Sequence, residues 1–198
     1  MKKIFFYASL IFLTIVSFFF DKDISLKIAE NRTPFLNGFF AWIASIFTTI
    51  IIMLVITTIF LLQEKKKTWV PSLWGSFFLT GIVCLILKFI IGRTRPFLEL
   101  GLEKLSHIDY SFSKFNTSFP SFHAAVVFAV LPLLFKEFPK VKWFWLIFAI
   151  LISFSRIYIG VHYLSDVLGG VVIGYFIGSQ LSKKPLKKLI KSIKFLRK

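Results

Sequence analysis

Several residues capable of chemistry lie in Ser155–Asp166, a stretch between two apolar segments. Arg156, His162 and Asp166 are ionisable, and such side chains are costly near hydrocarbon and often mark a functional site. His162 and Asp166 are four residues apart, so a helix would place them on one face. The carboxylate can then orient the imidazole and stabilise its cation, which leaves the other ring nitrogen free to attack. A simpler interpretation is that the two side chains only satisfy each other's hydrogen-bonding groups at a helix end.

Two further groups of polar residues border apolar segments. Lys88 and Arg95 close one segment, and on a continuous helix their seven-residue spacing stacks them about two turns apart. Ser121 and His123 open the next segment, with Ser121 placed as an N-cap. The free N–H groups of a helix amino terminus bind anions. Each residue alone also has an ordinary role, because a lysine can snorkel, an arginine can flank a span and a serine can be only a cap.

Together the three groups indicate a phosphate site. Three cations and a helix terminus can surround a tetrahedral anion, with one histidine to attack and one to protonate. Of the nine acidic residues, only Asp166 lies in these segments, so no carboxylate cluster is available for Mg²⁺. Fixed cations can stabilise phosphoryl transfer instead. The sequence therefore predicts catalysis without a metal or a cofactor.

The composition indicates an integral membrane protein. Hydrophobic residues make up 57% of the chain, 27 of its 198 residues are Phe, and its mean hydropathy is +0.79; these values are too apolar for a soluble domain. The net charge of +16 could indicate nucleic acid. The basic residues lie between apolar runs, however, so anchoring in the bilayer explains them better, and no nucleic-acid partner is expected. Cys84 lies in an apolar run, where it is expected to serve packing.

We expect an all-α fold, with residues 1–181 forming one domain of six transmembrane helices. The predicted spans are Ile4–Phe20, Phe39–Leu62, Trp69–Ile91, Pro120–Phe135, Trp143–Ile157 and His162–Leu181. Residues 21–38 are predicted to lie at the membrane interface and residues 92–119 to form an outer loop. Residues 182–198 predict a basic amphipathic tail on the cytoplasmic membrane surface.

The distribution of Lys and Arg predicts the orientation in the membrane. Sixteen of the 25 lie at the amino terminus, in the second-to-third and fourth-to-fifth connections, and in the tail. The positive-inside rule then places both termini in the cytoplasm. The three polar groups would lie at the outer, periplasmic face.

The three groups resemble the signature of the type-two phosphatidic acid phosphatase superfamily. The chain contains Lys-x6-Arg-Pro from Lys88, Pro-Ser-x-His from Pro120 and Ser-Arg-x5-His-x3-Asp from Ser155, in this order. The matching motifs lie in the third to sixth predicted spans. The predicted arrangement of six spans extends the resemblance to the whole chain. It implies a membrane lipid phosphatase.

The resemblance also implies a role for each residue. His162 would be the nucleophile that forms a phosphohistidine, Asp166 would orient it, and His123 would protonate the leaving oxygen and then activate water. The phosphoryl oxygens would be bound by Lys88, Arg95, Ser121, Phe122 and Arg156. The family usually has glycine at Phe122, so we expect its amide to serve while its side chain narrows the pocket or contacts the lipid.

A site at the outer interface suits an anionic membrane lipid whose tails stay in the bilayer. The compact chain resembles bacterial members, so we expect the inner membrane of a bacterium. Candidate substrates are the 1-phosphate of lipid A, which we favour, undecaprenyl diphosphate and phosphatidylglycerophosphate. Lys104, His107 and Lys114 in the outer loop could contact a large head group or could be solvated.

Two other classes of protein could contain similar clusters of basic residues. A small anion transporter would also gather arginines, but the chain has no inverted repeat, and a pore needs no His–Asp pair. A scaffold that only binds phospholipid would need the cations alone. Soluble vanadate-using haloperoxidases share the signature, but the apolar spans argue against that activity. The sequence carries no signal for oligomeric state.

Overall fold

The computed structural model describes residues 2–103, 105 and 117–186, which form helices and turns without a strand. The helices are α1 (Lys2–Ser17), α2 (Asp21–Glu30), α3 (Pro34–Ile43), α4 (Ile46–Leu61), α5 (Val70–Ile91), α6 (Pro96–Glu99), α7 (Phe122–Glu137), α8 (Lys142–Tyr158) and α9 (Leu164–Leu181). The all-α prediction is confirmed. Most of the predicted tail lies outside the described residues, as do Lys104, His107 and Lys114.

Several helices are suited to a bilayer. In the described part of the chain, three helical stretches are long and apolar enough to cross it, and the number rises to five if each of two bent helix pairs forms one span. The predicted fourth span corresponds to α7, whose 16 residues extend about 24 Å and fall short of a hydrocarbon layer of about 30 Å. The count of six spans stays a prediction.

The apolar run predicted as the second span contains a break. Helix α3 ends at Ile43, α4 begins at Ile46, and the two are bent by 50°. Ser45 has an extended backbone and accepts a hydrogen bond from the N–H of Phe47 at 3.2 Å. This N-cap starts a new helix, and the predominantly apolar sequence around it concealed the change in direction.

Helices α7 and α9 pack with their backbones close together. A Cβ added at Gly174 would overlap the carbonyl oxygen of Ala125, and the same relation recurs one turn further on. Small residues of this kind allow close approach between membrane helices. The approach joins the two amino termini, where the N–H of Ser121 donates to the carbonyl oxygen of Asp166 at 2.9 Å.

The segment after α5 is fixed to the segment before α7. Gly92 ends α5 with a left-handed φ of 63°, a conformation that suits glycine. Beyond it, Ser118 donates its N–H to the carbonyl of Arg93 at 2.7 Å and its hydroxyl to the carbonyl of Thr94 at 3.0 Å. The first two motifs are therefore held side by side.

Candidate active site

The predicted site residues lie at one end of the bundle, where the carboxyl ends of α5 and α8 meet the amino ends of α7 and α9. All of them are buried except Phe122, which is partly buried. Ionisable side chains are seldom buried without partners. The structure thus buries the residues of all three motifs together at one end of the bundle.

His162 and Asp166 are close, but they do not share a helix. His162 lies in the turn before α9, which begins at Leu164, two residues after the predicted start of the last span. Asp166 turns its Oδ2 back towards this turn and accepts the N–H of Tyr163 at 2.8 Å. The same oxygen lies 3.6 Å from Nδ1 of His162, slightly beyond hydrogen-bond length.

The other ring nitrogen of His162 faces cations. Its Nε2 lies 3.5 Å from Nη1 of Arg95, which donates to the carbonyl of Val161 at 2.9 Å. Burial lowers the pKa of His162 well below its usual value, and the charges of Arg95, Lys88 and Arg156 lower this pKa further. The environment therefore favours the neutral imidazole, which is the form that can act as a nucleophile.

Backbone carbonyls position two of the cations. Lys88 donates its Nζ to the carbonyls of Thr117 at 2.6 Å and Ser118 at 3.3 Å. Arg156 donates its Nη1 to the carbonyl of Ala44, beside the break between α3 and α4, at 2.5 Å. A carbonyl fixes a cation without neutralising its charge, so these bonds hold positive charge in place for an anion.

Ser121 Oγ, His123 Nε2 and His162 Nδ1 are among the buried polar atoms that have no hydrogen-bond partner in the described part of the chain. Buried polar atoms normally have partners. The amide groups of the first turn of α7 also have no acceptor within their own helix. Donors and cations in this arrangement fit a bound phosphate.

Phe122 directs its side chain towards α5. Its ring packs on α5, where a Cβ at Gly81 would lie 3.2 Å from its Cε2. The ring also meets Phe77 edge to face, with a centroid distance of 6.1 Å. The side chain of Phe122 is therefore accommodated between helices, where Gly81 leaves room for its ring.

Sequence reasoning missed two charged residues beside the site. Arg93 donates Nη1 to Oδ1 of Asp166 and Nη2 to Oδ2 of Asp21, each at 2.7 Å. Asp21 is only 1% exposed. Arg93 lies inside the first motif, a signal that was available, whereas Asp21 is remote from every motif in sequence. Asp166 is therefore not the only acidic residue at the site, which corrects the sequence interpretation.

The apolar helices that are long enough to cross a bilayer define a multi-pass α-helical membrane protein, with buried cations gathered at one end of the bundle. Comparison with known families agrees, because residues 69–188 match the model of the PAP2 superfamily. This match covers more than half of the chain, and the chain belongs to this superfamily. The resemblance inferred from the three motifs is confirmed.

Individual relatives are named for three lipid substrates. The chain is 26% identical to an undecaprenyl-diphosphatase of Sulfolobus acidocaldarius over 88% of this chain and 85% of that protein. It is 30% identical to a lipid A 1-phosphatase of Rhizobium etli over 54% of this chain and 47% of that protein. The crystal structure of a PAP2-type phosphatidylglycerolphosphate phosphatase from Bacillus subtilis superposes with a TM-score of 0.69, covering 94% and 96% of the two chains at 23% identity. The chain is thus a member of a family of membrane lipid phosphatases.

Proposed function

We propose that this protein releases phosphate from a membrane lipid through a phosphohistidine on His162. The observation that carries the proposal is the pair of buried atoms without a hydrogen-bond partner, Ser121 Oγ and His123 Nε2, at the end of the bundle where His162 and the buried cations meet. A phosphoryl group placed there would bond to both atoms and face Nε2 of His162, and a site for simple anion binding would need no paired histidines.

The proposed reaction has two balanced steps. The lone pair on Nε2 of His162 attacks phosphorus while His123 gives its proton to the leaving oxygen of the lipid. Asp166 lies on the Nδ1 side of the nucleophile and stabilises the imidazolium that forms. His123 then takes a proton from water, whose oxygen attacks the phosphohistidine and releases inorganic phosphate.

The cations carry the electrostatic part of catalysis in this proposal. Lys88, Arg95 and Arg156 would face the phosphoryl oxygens, where positioned charge stabilises the transition state. The hydroxyl of Ser121 and the amide of Phe122 would complete the cradle. Lys142 begins α8 at the opposite end from this site and is exposed. Lys88→Ala should lower kcat/KM by at least about 100-fold, whereas the matched variant Lys142→Ala should not.

Catalysis is proposed to need no metal ion, because fixed side chains supply the positive charge. Thorough chelation with EDTA followed by gel filtration should leave kcat unchanged in the purified protein. The measurement is phosphate release before and after treatment, with added Mg²⁺ as the comparison. Activity that disappears on chelation and returns only with Mg²⁺ would contradict the proposal.

The lipid is proposed to carry a terminal phosphate at the outer face of the inner membrane. The relative that matches along 88% of the chain supports undecaprenyl diphosphate. The lipid A 1-phosphatase supports the 1-phosphate of lipid A, the substrate favoured from the sequence, over a shorter match. Each of these two lipids carries a phosphate on a long apolar anchor, which suits a site at one end of a membrane bundle.

The test is phosphate release from purified undecaprenyl diphosphate, lipid A and phosphatidylglycerophosphate in detergent, for wild type and His162→Ala. We expect release by wild type, loss of release in the variant, and an alkali-stable, acid-labile phosphoenzyme in wild type only. Preference among the three lipids assigns the substrate. No release from any of them, or release undiminished in His162→Ala, would overturn the proposal and favour a transporter or a scaffold.

A further inference from the structure

Asp21 is a buried carboxylate that the family signature does not include. It is the first residue of α2, outside the residues 69–188 that match the superfamily. Its Oδ1 accepts the N–H of Ser165 at 3.0 Å, and its Oδ2 accepts the hydroxyl of Ser165 at very short range. Burying a carboxylate costs free energy unless the group is paired and hydrogen-bonded.

Arg93 joins Asp21 to the catalytic segment. The guanidinium donates Nη2 to Asp21 and Nη1 to Asp166, each at 2.7 Å, and Nη1 also donates to the hydroxyl of Ser165 at 2.6 Å. Its flat group lies 4.1 Å from the ring centroid of Tyr163 and is only partly exposed. Because a guanidinium presents its donors in a rigid fork, two carboxylates fix its orientation better than one.

The bond from Arg93 engages only one side of Asp166. Oδ1 accepts from Arg93, whereas Oδ2 accepts from the turn before α9 and faces His162. With Asp21 sharing the guanidinium, two carboxylates surround one cation, and Asp166 retains negative charge for the imidazolium. Without Asp21, Arg93 would be free to turn wholly onto Asp166 and weaken its attraction for His162.

We propose that Asp21 and Arg93 are positioning residues for the nucleophile, in a chain of contacts that runs Asp21–Arg93–Asp166–His162. The amino-terminal part of the protein, outside the family match, would then supply a member of the catalytic apparatus. This inference rests on the proposed function of His162. It predicts an effect on turnover, because the contacts act on the attacking group and not on the binding of lipid.

The test compares Asp21→Asn with Asp23→Asn. Both variants lie on α2 and remove one carboxylate, but Asp23 is exposed. At a temperature where each variant is shown to be folded, Asp21→Asn should lower kcat about 10-fold with KM unchanged. Asp23→Asn should match wild type. An unchanged kcat in Asp21→Asn, or a change confined to KM, would overturn the inference.

A double-mutant cycle separates positioning from a merely structural role. In an Asp166→Asn background, assayed at high enzyme concentration, Asp21→Asn should lower kcat little further, because its effect passes through the Asp166 carboxylate. An equal loss in both backgrounds would overturn the inference. If His162→Ala itself kept full activity, the proposed function would fail first. If His162→Ala is inactive and Asp21→Asn is normal, only this inference fails.

Discussion

At the scale of the residue, the site depends on keeping one imidazole neutral while surrounding it with positive charge. His162 is buried, its Nε2 lies 3.5 Å from Arg95, and Oδ2 of Asp166 lies 3.6 Å from its Nδ1. The cations resist protonation of the ring before reaction, and the carboxylate can stabilise the cation that forms when the ring attacks. One residue can thus serve as a good nucleophile and then as a stable phosphohistidine.

The pH dependence should report this arrangement. Protonation of His162 removes its lone pair, so kcat/KM should fall on the acid side; because burial lowers the pKa of His162, this acid limb should lie well below pH 6.5 or so. The need for a protonated His123 should give a second fall as the pH rises further, and the profile should be bell-shaped. The measurement is kcat/KM against pH, corrected for titration of the substrate phosphate. A flat profile would contradict both assignments.

Phe122 and Gly81 form a pair that can be tested by exchange. Gly81→Val should push the Phe122 ring and the first turn of α7, which carries His123, and lower kcat about 10- to 100-fold. Phe122→Gly in the same chain should restore much of the loss, because it removes the ring that the valine meets. Turnover of the single and double variants on one lipid provides the measurement. A double variant no better than Gly81→Val would show that the two side chains do not oppose each other.

At the scale of the element, the close packing of α7 on α9 positions the site. The N–H of Ser121 and the carbonyl of Asp166 are bonded at 2.9 Å because the two helix backbones meet. The glycines of α9 permit that approach, so their effect on the site comes through the spacing of helices. Glycine has no functional group of its own, so it takes no part in the chemistry.

Gly174→Ala should therefore destabilise the protein. The added methyl would overlap the carbonyl oxygen of Ala125, and overpacking of this kind typically costs about 1–3 kcal/mol. We expect a lower thermal unfolding temperature in detergent and a lower yield of monodisperse protein. Gly38→Ala in α3 is the matched control, because a Cβ there meets nothing within 4 Å. Equal stability of the two variants would refute the packing argument.

At the scale of the whole molecule, charge and hydropathy together set the orientation. The connection between α7 and α8 is basic, and the site lies at the other end of both helices. If the positive-inside rule governs insertion, the basic ends face the cytoplasm and the site faces outward. Substrates on the outer leaflet would then reach it without crossing the membrane.

Labelling with a membrane-impermeant maleimide can measure this orientation. In a Cys84→Ser background, Glu103→Cys should react in intact cells, and Lys140→Cys should react only after the cells are broken. Both parent side chains are exposed, so their accessibility differs only through the membrane. The reverse pattern would place the site in the cytoplasm.

The sequence allowed prediction of those site residues whose chemistry demands a particular side chain. The histidines and cations of the three motifs are of this kind, and so is Asp166. Asp21 could not be found in the same way, because nothing in a local pattern shows which distant carboxylate shares an arginine. The bend at Ser45 was missed because its cap lies in a predominantly apolar run, where hydropathy does not indicate a change in helix direction.

The contact between Arg156 and the carbonyl of Ala44 has a consequence for how such enzymes diverge. Any amino acid that fits the buried position 44 offers the same carbonyl oxygen, so the identity of that residue can change while the bond to Arg156 persists. What selection must preserve is the path of the backbone at the break between α3 and α4. Sequence alignments will therefore not detect this part of the active site, and structural superposition is needed to show whether distant members share it.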